Sequence, residues 1–345
     1  MNTMNSSNDA SFVIAEAGVN HEGSIENALE LVASASRAGC NAIKFQTYKA
    51  DSIASINSPS YWDTKKESSR NQHQLFSKYD KFTLNDYETI IECCKNLDIE
   101  FMSTCFDLEW LDVLNPYLIR HKIASADITN YQLLKAVGKT SKPVILSTGA
   151  TTFEEIKNAI DLIESVGKSK ISILHCVLNY PTKIENANLN RIISLKEEFP
   201  NYKIGYSDHT PPKDGNHVLM MAYAMGVSIF EKHFTLDKTL PGNDHYHAFD
   251  ESDMTIFVEG LSMAKKALEF SEIDFIRIQN SAIKNARRGI YVKKDLNENH
   301  VISENDLILL RPAGEIYGMD FPNLIGKRIK RSLSANSPLN REDFE

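Results

Sequence analysis

Residues 203–210 read KIGYSDHT, and residues 229–235 read IFEKHFT. Each is a short apolar run that ends abruptly in polar groups: Ser207, Asp208 and His209 in the first, Glu231, Lys232 and His233 in the second. One helix-sized segment separates them. Two parallel strands joined in this way have neighbouring C-terminal ends. Two imidazoles then face one space, which is the geometry of a metal site.

The same unit recurs in both directions. Residues 12–16, FVIAE, form the first strand, followed by AGVNHEGS and a helical pattern over 25–38. Ser24 supplies the N-cap of that helix and Gly39 its C′ residue. NAIKFQT, 41–47, is the second strand, and later strands end at Thr104, Ser125, Gly149 and Cys176. Helical patterns occupy 83–97, 108–114, 130–138, 152–166, 190–199, 215–226 and 251–270. The total is eight strand-then-helix units. The strands are apolar on both faces, as in a sheet covered on both sides. This predicts a (β/α)8 barrel, placed at 11–272. A doubly wound open sheet is the alternative, but the first loop, AGVNHEG, lacks the GxGxxG fingerprint. Residues 48–82 form a long polar loop with aromatic residues, of the kind that covers a site or joins an interface.

Past Ser281 the alternation stops. Residues 273–284 read as a linker and 285–345 as a small β module. Within the module Leu296, Asn299, Ile302, Asp306 and Leu307 recur 37 residues later as Leu333, Asn336, Leu339, Asp343 and Phe344. The echo predicts a pseudo-symmetric unit. At about 60 residues it is too small to fold comfortably alone, so it should dock on a barrel.

The chain of 345 residues has a net charge of −8, which argues against non-specific nucleic-acid binding. No apolar run approaches the roughly 20 residues of a membrane span. The first ten residues, MNTMNSSNDA, are polar and read as a disordered tail rather than a signal peptide. Five cysteines, an odd number with no CxxC spacing, favour a reduced, cytoplasmic chain.

Chemistry is suggested by the strand ends, where barrel active sites sit. In order they offer Glu16; Lys44 and Gln46; Thr104; Lys122 and Ser125; Ser147 and Thr148; His175, Asn179 and Tyr180; Ser207, Asp208 and His209; Glu231 and His233. A lone strand histidine is ordinarily a hydrogen-bonded core residue, and a lone lysine can snorkel. Two buried lysines with several hydroxyls at one rim are better explained by a bound phosphate or carboxylate. His209 and His233 can hold a divalent cation and leave positions open for substrate. DHYHAFD, 244–250, adds Asp244, His245 and His247, which as loop residues are weaker candidates than the strand pair.

At these residues the chain resembles the sialic acid (N-acetylneuraminate) synthase family, which includes legionaminic and pseudaminic acid synthases. The carrying motifs are FVIAEAGVNHEGS, AIKFQTYKA, EFMSTCFD, KIAS, PVILSTGA, ILHCVLNYPT, GYSDHT and EKHFTLDKTLPGND, with LLRPAGEI in the C-terminal module. The resemblance implies a (β/α)8 TIM barrel followed by an antifreeze-like (SAF, β-clip) domain, in a domain-swapped homodimer whose small domain reaches over the partner's barrel. It implies condensation of phosphoenolpyruvate with an N-acetylated hexosamine to a nine-carbon 2-keto acid, with release of phosphate. His209 and His233 match the family's metal ligands, usually for Mn2+, with Mg2+ or Co2+ as substitutes. Lys44, Thr104, Lys122, Ser125, Ser147, Tyr180 and Ser207 match positions that hold phosphoenolpyruvate. Glu16, Gln46, Glu231 and Asp244 match positions around the sugar, and Arg311 the arginine offered by the partner's small domain. Glu231 and Glu16 are the catalytic candidates, for proton transfer and for orienting the sugar in that order.

Three departures stand out. Leu178 occupies the place of a frequent phosphoenolpyruvate-contacting asparagine, leaving Asn179, one position on, as the substitute. Asp127 stands where glutamate is usual, and Asn336 where a turn glycine is common. The acceptor sugar stays open between N-acetylmannosamine and 6-deoxy diacetamido hexoses. A related enzyme using a phosphorylated aldose, or a non-catalytic sugar-binding protein, are the rival readings; the first leaves the C-terminal module unexplained, and the second leaves the polar rim unexplained.

Overall fold

The computed structural model describes residues 11–344 except 61, 63, 66, 243 and 269–271. The tail expected over 1–10 lies outside the described residues. The chain divides into two compact units between Ala264 and Lys265.

The first unit contains eight parallel strands: β1 Phe12–Gly18, β2 Ala42–Thr47, β3 Glu100–Cys105, β4 His121–Ile123, β5 Val144–Ser147, β6 Ile171–Cys176, β7 Lys203–Asp208 and β8 Ile229–His233. Their order is β3-β2-β1-β8-β7-β6-β5-β4, and β3 and β4 pack side by side, so the sheet curls into a nearly closed barrel. Helices lie between the strands, as the expected barrel requires. Ser24 accepts a hydrogen bond from the Asn27 amide at the N-cap of Ile25–Arg37, and Gly39 has φ +80°, the left-handed turn that ends it. Pro212–Ala224 starts three residues before the expected Gly215, because proline is pre-set for the first helical turn.

The two-residue period of a strand sorts the side chains into layers. Positions facing outward, such as Val13, Ala15, Phe45, Leu146 and Ile173, join the large core under the helices. Positions facing inward at the bottom, namely Ile14, Ala42, Met102, Ile145, Leu174 and Ile229, form a dry plug. Gly205 lies on the same face of β7, where an added Cβ would meet a Leu174 methyl at 2.1 Å and the Ile229 carbonyl oxygen at 2.7 Å. Two residues further along each strand comes a polar layer, closed from below by that plug.

Segment 48–82 contains two short helices, Ala50–Ile53 and Gln72–Ser77, where the sequence suggested a loop. Residues 273–284, expected to be a linker, are also largely helical, in Glu272–Ile278 and Asn280–Ala286.

In the second unit β9, Gly289–Val292, pairs antiparallel with β10, Leu307–Leu310. The repeat predicted from sequence is structural. Leu296 bridges its counterpart Leu333. Asn299 and Asn336 both adopt left-handed turns, with φ +68° and +65°, so asparagine serves where glycine is common. Asp306 and Asp343 each close a capping box on a 3-10 turn. Ile302 and Leu339 enter the same buried cluster.

Candidate functional site

The polar layer lines a cavity of about 580 Å3 at the C-terminal ends of the barrel strands. Every barrel residue matched to a substrate or metal role lines it except Asn179: Glu16 from β1, Lys44 and Gln46 from β2, Thr104 from β3, Lys122 from β4, Ser147 from β5, Ser207 from β7, and Glu231 and His233 from β8, with Ser125, Tyr180, His209 and Asp244 from the loops that follow. Asn179 is exposed off the wall, and Leu178 takes the lining position. Arg311 is an exposed residue of the second unit, directly after β10.

The floor is a chain of alternating charges. The Lys44 ammonium contacts the Glu16 carboxylate directly and lies 3.8 Å from Glu231. Lys122 lies 3.6 Å from the other Glu231 oxygen and donates to Ser147 Oγ at 2.7 Å. Lys44 donates to Thr104 Oγ1 at 3.1 Å, Gln46 to Glu16 at 3.1 Å, and Ser207 to Glu231 at 3.1 Å. Burial pushes Lys44 down to about 7 against the pull of Glu231, and the Lys122 charge adds to the fall. Burial alone would raise the Glu231 carboxyl, but Lys122 and Lys44 outweigh it and hold the group below its usual range. Buried charges so arranged are mutually compensated, yet the lysines carry donors that an incoming anion can take up.

The imidazoles stand at one side of the cavity. His209 and His233 have ring centroids 5.2 Å apart, and Tyr180 packs on both. His209 Nδ1 donates to the Val177 carbonyl at 2.7 Å, which leaves Nε2 with the lone pair. Burial lowers His209 to about 4. Burial also holds His233 well below the usual imidazole range, with the nearby His247 and His209 adding to the effect. Both rings are therefore neutral, the form that binds metal. His233 Nδ1 is buried, makes no hydrogen bond within the described residues, and lies 3.8 Å from Asp244. An orphaned imidazole nitrogen beside a carboxylate fits a divalent cation held by nitrogen and oxygen donors.

Several polar residues of the rim serve other ends. Thr148 donates its hydroxyl to the Leu174 carbonyl. His175 faces outward, stacked on Tyr206, with Nε2 donating to the Ala187 carbonyl at 2.8 Å. Asp208 also faces outward, where Lys232 Nζ donates to it at 2.7 Å and to the Thr210 carbonyl at 2.5 Å. Strand alternation explains this: Ser207, Glu231 and His233 point in, so Asp208 and Lys232 point out. His245 turns to Thr235 Oγ1 at 2.7 Å and to Glu22. Cys176 lines the cavity, but burial raises its thiol to about 11, which makes it a poor nucleophile. The segment between β2 and β3, which the sequence marks as one that covers a site or joins an interface, forms the outer wall with Ile53, Trp62, Phe76 and Tyr79.

Residues 31–272 match the NeuB family, and residues 287–345 match the SAF domain. The chain is 36% identical over 341 residues to the N,N'-diacetyllegionaminic acid synthase of Legionella pneumophila, covering 97% of this chain and 94% of that one. It is 32% identical over 340 residues to a pseudaminic acid synthase of Campylobacter jejuni, covering 96% of each. A crystal structure of N-acetylneuraminic acid synthetase from Leptospira borgpetersenii, in complex with citrate, is 32% identical; it superposes with a TM-score of 0.68 and covers 79% of this chain and 93% of that chain.

Proposed function

The chain belongs to the NeuB family and carries a SAF domain at its C-terminal end, and from this premise we propose that it is a nonulosonic acid synthase. Phosphoenolpyruvate, the open-chain aldehyde of an N-acetylated mannosamine-type hexose and one water become a nine-carbon 2-keto acid and phosphate. The observation that carries the reading is the buried Glu16–Lys44–Glu231–Lys122 chain beside a pair of neutral imidazoles in one cavity. It combines sites for an anion and for a polarisable aldehyde.

Lys44 and Lys122 neutralise the phosphate and carboxylate of phosphoenolpyruvate, and the hydroxyls of Thr104, Ser125, Ser147, Tyr180 and Ser207 orient it. The Ser125 hydroxyl is itself placed by the Gly149 amide, which donates to it at 2.8 Å. Glu16, Gln46, Glu231 and Asp244 hold the sugar. His209 and His233 would hold the divalent cation, which when bound supplies Lewis-acid polarisation of the aldehyde oxygen. Carbon 3 of phosphoenolpyruvate forms the new bond to the aldehyde carbon. Water adds at carbon 2, and phosphate leaves with the bridging oxygen. Glu231, between the two lysines, takes the proton of that water, and Glu16 serves the sugar hydroxyls. Enclosure by the β2–β3 segment keeps other water from the charged centre.

The acceptor is a 2,4-diacetamido-2,4,6-trideoxyhexose or N-acetylmannosamine. The first is favoured by the names of the two curated synthases described above and by the apolar surfaces of Ile53, Trp62 and Phe76, which suit a methyl group and a second acetamide. The test is a panel of such acceptors with phosphoenolpyruvate and divalent metals, read as free phosphate and product mass. Phosphate release with no member of the panel would sink the reading.

Two expectations follow from the site. A bound anion prefers Lys44 charged, and the free lysine loses its proton above pH about 7. Phosphoenolpyruvate affinity should be level below that pH and fall above it by at most about tenfold per pH unit, until the pKa of the complex is reached. Calorimetry in buffers of different ionisation enthalpy reads the matching proton uptake, and an affinity level across this range contradicts it. In a homodimer whose small domain faces the partner's barrel, Arg311→Ala raises the sugar KM and leaves phosphoenolpyruvate affinity unchanged. An unaltered sugar KM refutes that role.

A further inference from the structure

His247 has no part in the reading above. It belongs to the segment after β8, outside any strand, and is fully buried. Its ring centroid lies 4.8 Å from that of His233 and 6.4 Å from that of His209. Tyr180 packs against all three rings. A nitrogen of His233, a nitrogen of His247 and an oxygen of Asp244 lie within 4.8 Å of one another. Donors on one divalent ion, each about 2.1 Å from it, are roughly 3–4 Å apart, so the spread is close to that of a ligand set.

The segment is tied down on several sides. The Phe249 amide donates to the His233 carbonyl at 2.8 Å, and the Tyr246 hydroxyl donates to the Tyr180 carbonyl at 2.9 Å. Asn20 donates to the Phe234 carbonyl at 2.9 Å and to the Asp244 carbonyl at 3.5 Å. His247 is thus held at the imidazole pair by backbone anchors before and after it. Packing alone is a poor reason for a third imidazole here, since an apolar side chain would fill the space without desolvating a polar ring.

We propose that His247 is a third protein ligand, so that the cation is held by His209, His233 and His247, with the Asp244 carboxylate alongside. The inference rests on the metal role of His209 and His233 proposed above and adds a residue to it. Three imidazoles make a nitrogen-rich set that favours Co2+ or Zn2+ over Mn2+ and Mg2+. The set still leaves a position for the substrate aldehyde.

The test is a titration of the metal-stripped full chain with Co2+, followed by visible absorption and by competition with a chelator. Co2+ should bind more tightly than Mn2+. His247→Ala should weaken Co2+ binding by roughly tenfold or more and change the absorption bands, while His245→Ala leaves both as in the wild type. X-ray absorption at the cobalt edge of the wild-type chain counts imidazoles without any variant, and three are expected. Two imidazoles, or a His247→Ala chain that binds Co2+ as the wild type does while His233→Ala fails to, removes His247 and leaves the two-histidine site standing. A wild-type chain that binds no divalent cation overturns both.

Discussion

Replacing His233 with alanine is expected to lower turnover about a thousandfold or more while the barrel stays folded. Lewis-acid stabilisation is worth several kcal/mol, and each 1.4 kcal/mol or so is a factor of ten in rate. The fold should survive because the His233 side chain faces the cavity, so its removal enlarges an existing space instead of opening a void in the plug. Its backbone keeps its place in β8, with the Phe249 amide still donating to its carbonyl. Circular dichroism and thermal unfolding should therefore match the wild type. Phosphate release is measured with saturating phosphoenolpyruvate, an acceptor and added metal. A rate within tenfold of wild type after metal repletion contradicts the assignment.

The largest effect on stability is expected away from the cavity. Lys232 and Asp208 are 1% and 0% exposed and pair at 2.7 Å between the barrel and its helices. Asp208 also accepts from the Tyr206 and Thr210 hydroxyls, and Lys232 lies over the Phe249 ring at 4.9 Å. Lys232→Met leaves a buried carboxylate without its cation, a change that costs about 3–5 kcal/mol. Pairing it with Asp208→Asn removes the stranded charge and should recover part of the loss. Urea unfolding of both variants checks this, and a loss under about 1 kcal/mol for Lys232→Met would contradict it. Because Asp208 holds the Thr210 amide at 3.1 Å, the single variant should also loosen His209, which lies between them, and weaken metal binding.

The barrel was legible because strand ends repeat. Apart from Cys176 on β6, the inward positions one layer above the plug carry polar side chains, as Lys44, Thr104, Lys122, Ser147, Ser207 and Glu231 show. Strand periodicity alone could also have separated Asp208 and Lys232 from their inward neighbours. Reading the whole strand end as one rim put Asp208 at the site, whereas it faces the helices. Asn179 and His247 could not be placed this way, because loop residues have no period. One is exposed, and the other is fully buried beside His233. The helices Glu272–Ile278 and Asn280–Ala286 were missed for a different reason. They are short and bury no side chain within the described residues; Ile273, Phe275, Ile276 and Ile278 are spaced as on a helix but lie exposed, in a run too short to be told from a strand by its pattern. In the C-terminal unit the repeat was readable because each half reuses one set of local devices, a buried Leu, a left-handed Asn and an Asp that caps a turn.

The central claim is that one cavity joins phosphoenolpyruvate to a sugar aldehyde and releases phosphate by attack of water on carbon. Phosphoenolpyruvate labelled with 18O at the bridging oxygen tests it most directly, with mass spectrometry of the phosphate and of the keto acid. The account predicts acceptor-dependent phosphate that retains the label, one equivalent for each nine-carbon product. Label found in the keto acid, or phosphate released at the same rate without the acceptor, would contradict it.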